Sequence, residues 1–164
     1  MISIMISAAQ IKKIRDLTGA PVMDCRAALL EAKGDEKKAL RFLKEKGSDS
    51  AKKRADRETK QGRVEAYIHN GSRIGALIDL RTETDFVART DDFKELAKKV
   101  AMQVASMNPK DVTELLSQPL IFDEKMTVDE LIKEVVGKTG EKIEIARFQR
   151  FEVGEQGEFL ISNS

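Results

Sequence analysis

The chain has one cysteine, Cys25, and one histidine, His69. Together they can build neither a disulfide framework nor a structural zinc site, and so little cysteine suits a reducing cytoplasm. Charge of one sign is not in excess either. Lys plus Arg number 29 against 28 Asp plus Glu, a formal net charge of +1, so no global field draws the chain to nucleic acid or an anionic membrane. No stretch approaches the roughly 20 apolar residues of a membrane span. The apolar run at residues 1–6 is shorter than a signal-peptide core and lacks a basic flank or small-residue cleavage site.

Scarce histidine and cysteine also limit chemistry. His69 has no second histidine to share a metal with, and its place in an alternating segment makes it a surface residue. Cys25 lies on an apolar helical face with no histidine to activate it, which makes it a small core residue rather than a nucleophile. Composition therefore argues against hydrolase or transferase chemistry.

What the chain does have is 41% hydrophobic and 35% charged residues in 164 positions, enough for one medium domain or two small ones. Ser7-Ala8-Ala9-Gln10 fits a capping box; Ile11, Ile14 and Leu17 follow at helical spacing and Gly19 supplies a stop. Pro21 opens a second helix in which Val22, Cys25, Leu29 and Ala32 share a face, ended near Gly34. Asp35 caps a third, with Ala39, Leu40 and Leu43 inward and Gly47 as its end. Residues 1–47 are thus expected to form a three-helix bundle. Residues 48–62, whose only apolar members are Ala51 and Ala55, are expected to be a charged linker or a solvated helix.

From there the period changes to two. Val64, Ala66 and Ile68 alternate with Glu65, Tyr67 and His69, and after Asn70-Gly71 the residues Ile74, Ala76, Ile78 and Leu80 alternate again, predicting a β-hairpin with one buried face. Asp91 or Asp92 is expected to cap a helix with the stripe Phe93, Leu96, Ala97, Val100, Ala101 and Val104, ended by Asn108-Pro109. A short helix at Val112, Leu115 and Leu116, a capping box at Thr127–Glu130 and a strand from Ile143 to Val153 complete residues 63–154. Residues 155–164 are polar enough to fray. The order of elements predicts an α+β fold with an antiparallel sheet covered by helices.

Gly137-Lys138-Thr139 invites a phosphate-loop reading, but Ile132 stands where the first glycine of that loop is needed. No nucleotide binding and no cofactor are expected. The segment Thr82-Glu83-Thr84-Asp85-Phe86-Val87-Ala88-Arg89 lies between a strand and a helix, where side chains can project. Read locally, Phe86 and Val87 can staple the next helix, with Asp85 as a cap.

Leu17-Thr18-Gly19-Ala20-Pro21-Val22-Met23-Asp24-Cys25-Arg26-Ala27-Ala28-Leu29, with Glu31-Ala32 and Gly34-Asp35, resembles the UBA-like N-terminal domain of the elongation factor Ts family. Thr84–Ala88 resembles that family's core signature, and Arg147–Gly154 its C-terminal strand. Long members carry two core subdomains and a coiled-coil insertion, so this single core copy resembles the short forms, which dimerise. The resemblance implies a guanine-nucleotide exchange factor that makes and breaks no covalent bond and works in the cytoplasm. Its partner would be elongation factor Tu, with no direct binding of nucleotide, nucleic acid or membrane. Thr84, Asp85, Phe86 and Val87 would then meet the GTPase beside its Mg²⁺ site, with Phe86 as an apolar wedge, and Arg15, Val22, Met23 and Arg26 would grip it from the N-terminal bundle. The competing reading is a binding module without exchange activity, whose bundle recruits another helical partner.

Overall fold

The computed structural model describes residues 5–155. Residues 1–4 of the N-terminal run, and the expected tail beyond Glu155, lie outside the described residues.

Three helices come first: α1 (Ala8–Thr18), α2 (Val22–Glu31) and α3 (Glu36–Lys53). The Ser7 capping box forms with Gln10, and Gly19 closes α1 in the left-handed conformation at φ 66°. Pro21 is the residue before α2 rather than its first turn, and Asp35 caps α3 by accepting from the Lys38 N–H. Ile14, Cys25, Ala28, Leu29, Ala32 and Ala39 make a small core of their own. Leu17 and Val22, expected inside, are substantially exposed. The inner face of α2 is made by Cys25, Ala28 and Leu29, and Val22, at the first position of the helix, is left at the rim.

Gly47 does not end the third helix. α3 runs through it to Lys53, so the first six residues of the expected linker are helical. The reason is tertiary: α3 crosses α7 (Val128–Thr139) with Gly47 against the backbone of Lys133 and with Gly137 facing Gly47. Two missing side chains let the axes approach, and the approach offsets the roughly 1 kcal/mol that glycine costs a helix interior. Gly137, the false phosphate-loop glycine, is thereby a helix-packing residue. Lys44 adds an ion pair to Glu130 at 2.8 Å.

The larger core is built on β1 (Gln61–Ile68), β2 (Ile74–Thr82) and β5 (Ile143–Glu152), an antiparallel sheet in the order β1-β2-β5. α4 (Asp85–Ala88), α5 (Asp91–Met107) and α7 cover one face; α6 (Val112–Ser117) and a small hairpin of β3 (Pro119–Leu120) and β4 (Asp123–Thr127) fill the connection. No local pattern marks that hairpin in advance. Gln103, wholly buried, holds it by donating to the Pro119 carbonyl at 3.0 Å and accepting from the Ile121 N–H at 3.0 Å. Thr90, not Asp91 or Asp92, caps α5, and Asn108 ends it at φ 46°. The Thr127 capping box forms as expected.

β2 buries Ala76, Ile78 and Leu80 as its alternation predicts, but β1 has the opposite phase. Arg63, Glu65 and Tyr67 stand opposite Leu80, Ile78 and Ala76 and share the covered face, whereas Val64, Ala66 and Ile68 pair with Asp79, Leu77 and Gly75 on the open face. Directly opposed residues of an antiparallel pair share a face, so the β2 core residues and the hairpin register decide the phase of the edge strand. The result is an open sheet face carrying Val64, Ile68, Leu77 and Phe151 exposed to solvent. His69 lies one residue past β1, exposed, 3.2 Å from the Tyr67 hydroxyl. Among the described residues no helix is long and apolar enough to cross a membrane.

Candidate functional site

Between β2 and α5 the chain makes a single helical turn, α4, held at both ends. Thr84 is its N-cap, the hydroxyl accepting from the Val87 N–H at 3.4 Å. At the far end Thr90 donates its hydroxyl to the Val87 carbonyl at 2.7 Å while capping α5. Val87 and Ala88 are buried beneath the turn in the main core. A four-residue helix has almost no intrinsic stability, so these anchors hold it.

The start of the turn is also tied across the molecule. Glu141, just past the left-handed cap Gly140 of α7, receives the Thr82 hydroxyl at 2.9 Å, the Thr84 N–H at 2.9 Å and the Thr84 hydroxyl at 2.6 Å. Beside it Glu83 accepts the Lys142 N–H at 2.7 Å and pairs with Arg57 at 3.2 Å, and Lys142 donates to the Arg57 carbonyl at 3.0 Å. Thr59 donates to Glu144 in the same layer. Burial pulls Glu141 toward its neutral form, but the Thr84 hydroxyl and N–H, the Thr82 hydroxyl and the Glu83 N–H outweigh it and hold its pKa below the usual glutamate range.

What the anchored turn presents is Phe86, 78% exposed. The staple reading would bury it; the phenylalanine that is buried is Phe93, in the first turn of α5 itself. Asp85 points outward as well and pairs with Arg89 at 2.9 Å, an exposed contact worth little to stability. Of the four core-site residues named from the sequence, Asp85 and Phe86 are therefore at the surface, Thr84 is committed to capping and to Glu141, and Val87 is an internal anchor.

The N-terminal candidates form a second exposed area. Arg15 lies in the last turn of α1; Val22 and Met23 open α2 and Arg26 follows a turn later on the same flank. All four are exposed, with Leu17 nearby in sequence adding a further apolar side chain. Cys25, by contrast, is wholly buried; burial pushes its thiol pKa up, and its sulfur donates to the Ala20 carbonyl at 3.5 Å. Among the described residues no three His, Cys, Asp or Glu side chains gather as a metal site.

Glu141, Glu83, Arg57 and Lys142 were not singled out from the sequence. The Gly140 stop does mark Glu141 as the first residue of a connection, but nothing in local pattern places it against Thr84, which is 57 positions away.

Comparison with known proteins bears on this site directly. The family model "Elongation factor TS" matches residues 83–162, so the match opens at the anchored turn. Elongation factor Ts of Thermotoga neapolitana is 41% identical over 195 residues, covering 93% of this chain and 99% of that protein. The chain belongs to the elongation factor Ts family. The Fervidobacterium nodosum member is 37% identical over 195 residues (92% and 99% covered), and that of Thermotoga maritima 41% over 193 (92% and 97%). These alignments run longer than the 164 residues of this chain, so the relatives carry additional residues within the aligned span. Membership places the chain among the factors of translation elongation.

Proposed function

We propose that this chain binds elongation factor Tu in its GDP state and releases the nucleotide, using Phe86 as the wedge and Asp85 as its polar neighbour at the Mg²⁺ and phosphate site. The carrying observation is the contrast within one segment. The turn is anchored from below, from both ends and from the connection between α7 and β5, yet its largest apolar side chain is left in water. Full burial of such a ring is worth about 1.5–3 kcal/mol, unrealised until a partner supplies the pocket.

Exchange by such a device is a coupling between two binding events, so GDP must weaken the factor's binding as much as the factor weakens GDP's. Accelerating release about 10⁴-fold requires about 5.5 kcal/mol, more than one phenylalanine provides. The rest comes from a distributed interface, to which the UBA-like N-terminal unit (1–47) contributes Arg15, Val22, Met23 and Arg26. No covalent chemistry, bound nucleotide or cofactor is required, and the setting is the cytoplasm. Residues 48–62 connect the two units, and residues 63–154 carry the wedge.

A homodimer through the core is the accompanying reading, supported by the open sheet face. Ile68, Leu77 and Phe151 form an apolar area there, with Asp79, Arg81 and Arg147 ion-paired at its end. Contiguous apolar area of this kind marks an interaction surface.

The deciding experiment is release of fluorescent GDP from elongation factor Tu. Phe86→Ala is expected to slow release by about 10- to 100-fold with folding intact. A Phe86→Ala protein that exchanges at the normal rate refutes the wedge. Pull-down provides the class test, since an exchange factor prefers the nucleotide-free GTPase and a plain binding module does not.

A further inference from the structure

Three donors from two residues converge on one carboxylate at the base of the wedge turn. Glu141 Oε2 takes the Thr82 hydroxyl and the Thr84 N–H, and Oε1 takes the Thr84 hydroxyl. The Thr84 hydroxyl has one proton and gives it to Glu141, which leaves its lone pairs to accept the Val87 N–H and start α4. A side chain arriving from the end of α7 therefore sets both the direction of the backbone entering the turn and the polarity of the cap that begins it. Phe86 is the second residue of that turn. Since its side chain is mostly in solvent, its direction follows from the backbone beneath it.

We propose that Glu141 is the positioning residue of the wedge: by bridging Thr82 and Thr84 it aims Phe86 at the partner GTPase, although it lies in a different segment from the wedge. This rests on the reading of Phe86 as the exchange wedge. Such a residue acts on the rate at which the bound factor expels nucleotide, not on how tightly the N-terminal unit and the rest of the surface hold the GTPase. Its effect passes through the turn that carries Phe86 and, beside it, Asp85.

The experiment is GDP release from elongation factor Tu, measured over a range of factor concentrations for the full chain and its Glu141→Ala, Glu141→Gln, Phe86→Ala and Glu141→Ala/Phe86→Ala variants, each with a thermal melt. Glu141→Ala is expected to lower the maximal rate by about tenfold and to leave the half-saturating concentration within about twofold. A merely structural loss would do the reverse, since unfolded protein raises the concentration needed and leaves the ceiling in place. Glu141→Gln is expected to restore the rate to within about twofold, because its amide oxygen can accept at the Oε2 position and its NH₂ can donate to the Thr84 hydroxyl oxygen. The double variant is expected to be at most about twofold slower than Phe86→Ala alone, the remainder passing through Asp85, as residues acting as one unit are not additive. If Glu141→Ala fails to fold, Thr82→Val, which removes one donor and keeps the shape, is expected to slow release about threefold. Wild-type rates in a folded Glu141→Ala, or in Thr82→Val, overturn the proposal, as do a glutamine variant as slow as alanine and a double variant slowed multiplicatively. Failure of the wedge itself is distinct: there Phe86→Ala exchanges normally, whereas failure of positioning alone leaves Phe86→Ala slow.

Discussion

Phe86 and Phe93 stand seven residues apart on consecutive helices, yet one is 78% exposed and the other fully buried. Both follow a threonine that caps its helix: Thr84 two residues before Phe86 and Thr90 three before Phe93. The difference lies in what is beneath. α5 lies across β1 and β2 and turns Phe93 into the core with Leu96 and Ala97, whereas α4 is too short to rotate a third apolar residue inward once Val87 and Ala88 are placed. A single turn has room for one buried side, and that side is filled. The comparison separates a residue that holds the fold from one that the fold holds out.

The largest expected effect is on the buried member. Phe93→Ala should lower unfolding free energy by about 3–5 kcal/mol in a urea titration, the usual cost of truncating a core phenylalanine. Phe86→Ala in the same titration should shift stability by no more than about 0.5 kcal/mol while GDP release slows about 10- to 100-fold. Comparable stability losses for the two would erase the distinction. Next comes the platform on which the N-terminal unit sits. Gly47→Leu drives a side chain into the α3–α7 crossing and should cost about 1–3 kcal/mol, whereas Gly47→Ala, whose methyl would stand 3.5 Å from the Lys133 carbonyl, should be neutral or slightly stabilising. Equal melting temperatures for Gly47→Leu and the wild type would show that the crossing is not close.

Acid should sharpen the picture of the anchor. The folded pKa of Glu141 is held below its unfolded value, so its contribution is fully present above about pH 4.3, the ordinary glutamate value, and is lost as pH falls through the folded pKa. Wild type and Glu141→Ala should therefore differ most in urea midpoint near pH 7, and the gap should narrow as pH falls below about 4.3; a gap that stays constant with pH would mean that ionisation of Glu141 adds nothing to the anchor. The smallest stability effect belongs to Asp85→Ala, which removes only the exposed contact with Arg89 and should leave the melt within about 0.5 kcal/mol while slowing GDP release less than Phe86→Ala does.

Local rules account for much of what was legible. Ser7 with Gln10 and Thr127 with Glu130 made their capping boxes because those bonds span three residues and need nothing from the rest of the chain. The α5 stripe was legible because seventeen residues of consistent period outweigh any single exception. Gly47 was misread as a stop because a glycine ending a helix and one packed inside a helix crossing look alike until the other helix is known. β1 was misread because its apolar residues were assumed to face inward, and an edge strand whose other face meets solvent satisfies alternation in either phase.

By itself, the sequence determined most of the helices and strands of the sheet, where most of them begin, the α+β class and the family, since each depends on neighbours within a few residues or on motifs carried in order along the chain. Tertiary structure alone decided that α3 passes through Gly47, that Val64 and Ile68 lie on an open face, that Phe86 is exposed while Phe93 is not, and that Glu141 reaches Thr84 across 57 positions. Each of these is a question of which face meets which partner, and a period of 2 or 3.6 defines a face without saying what stands against it.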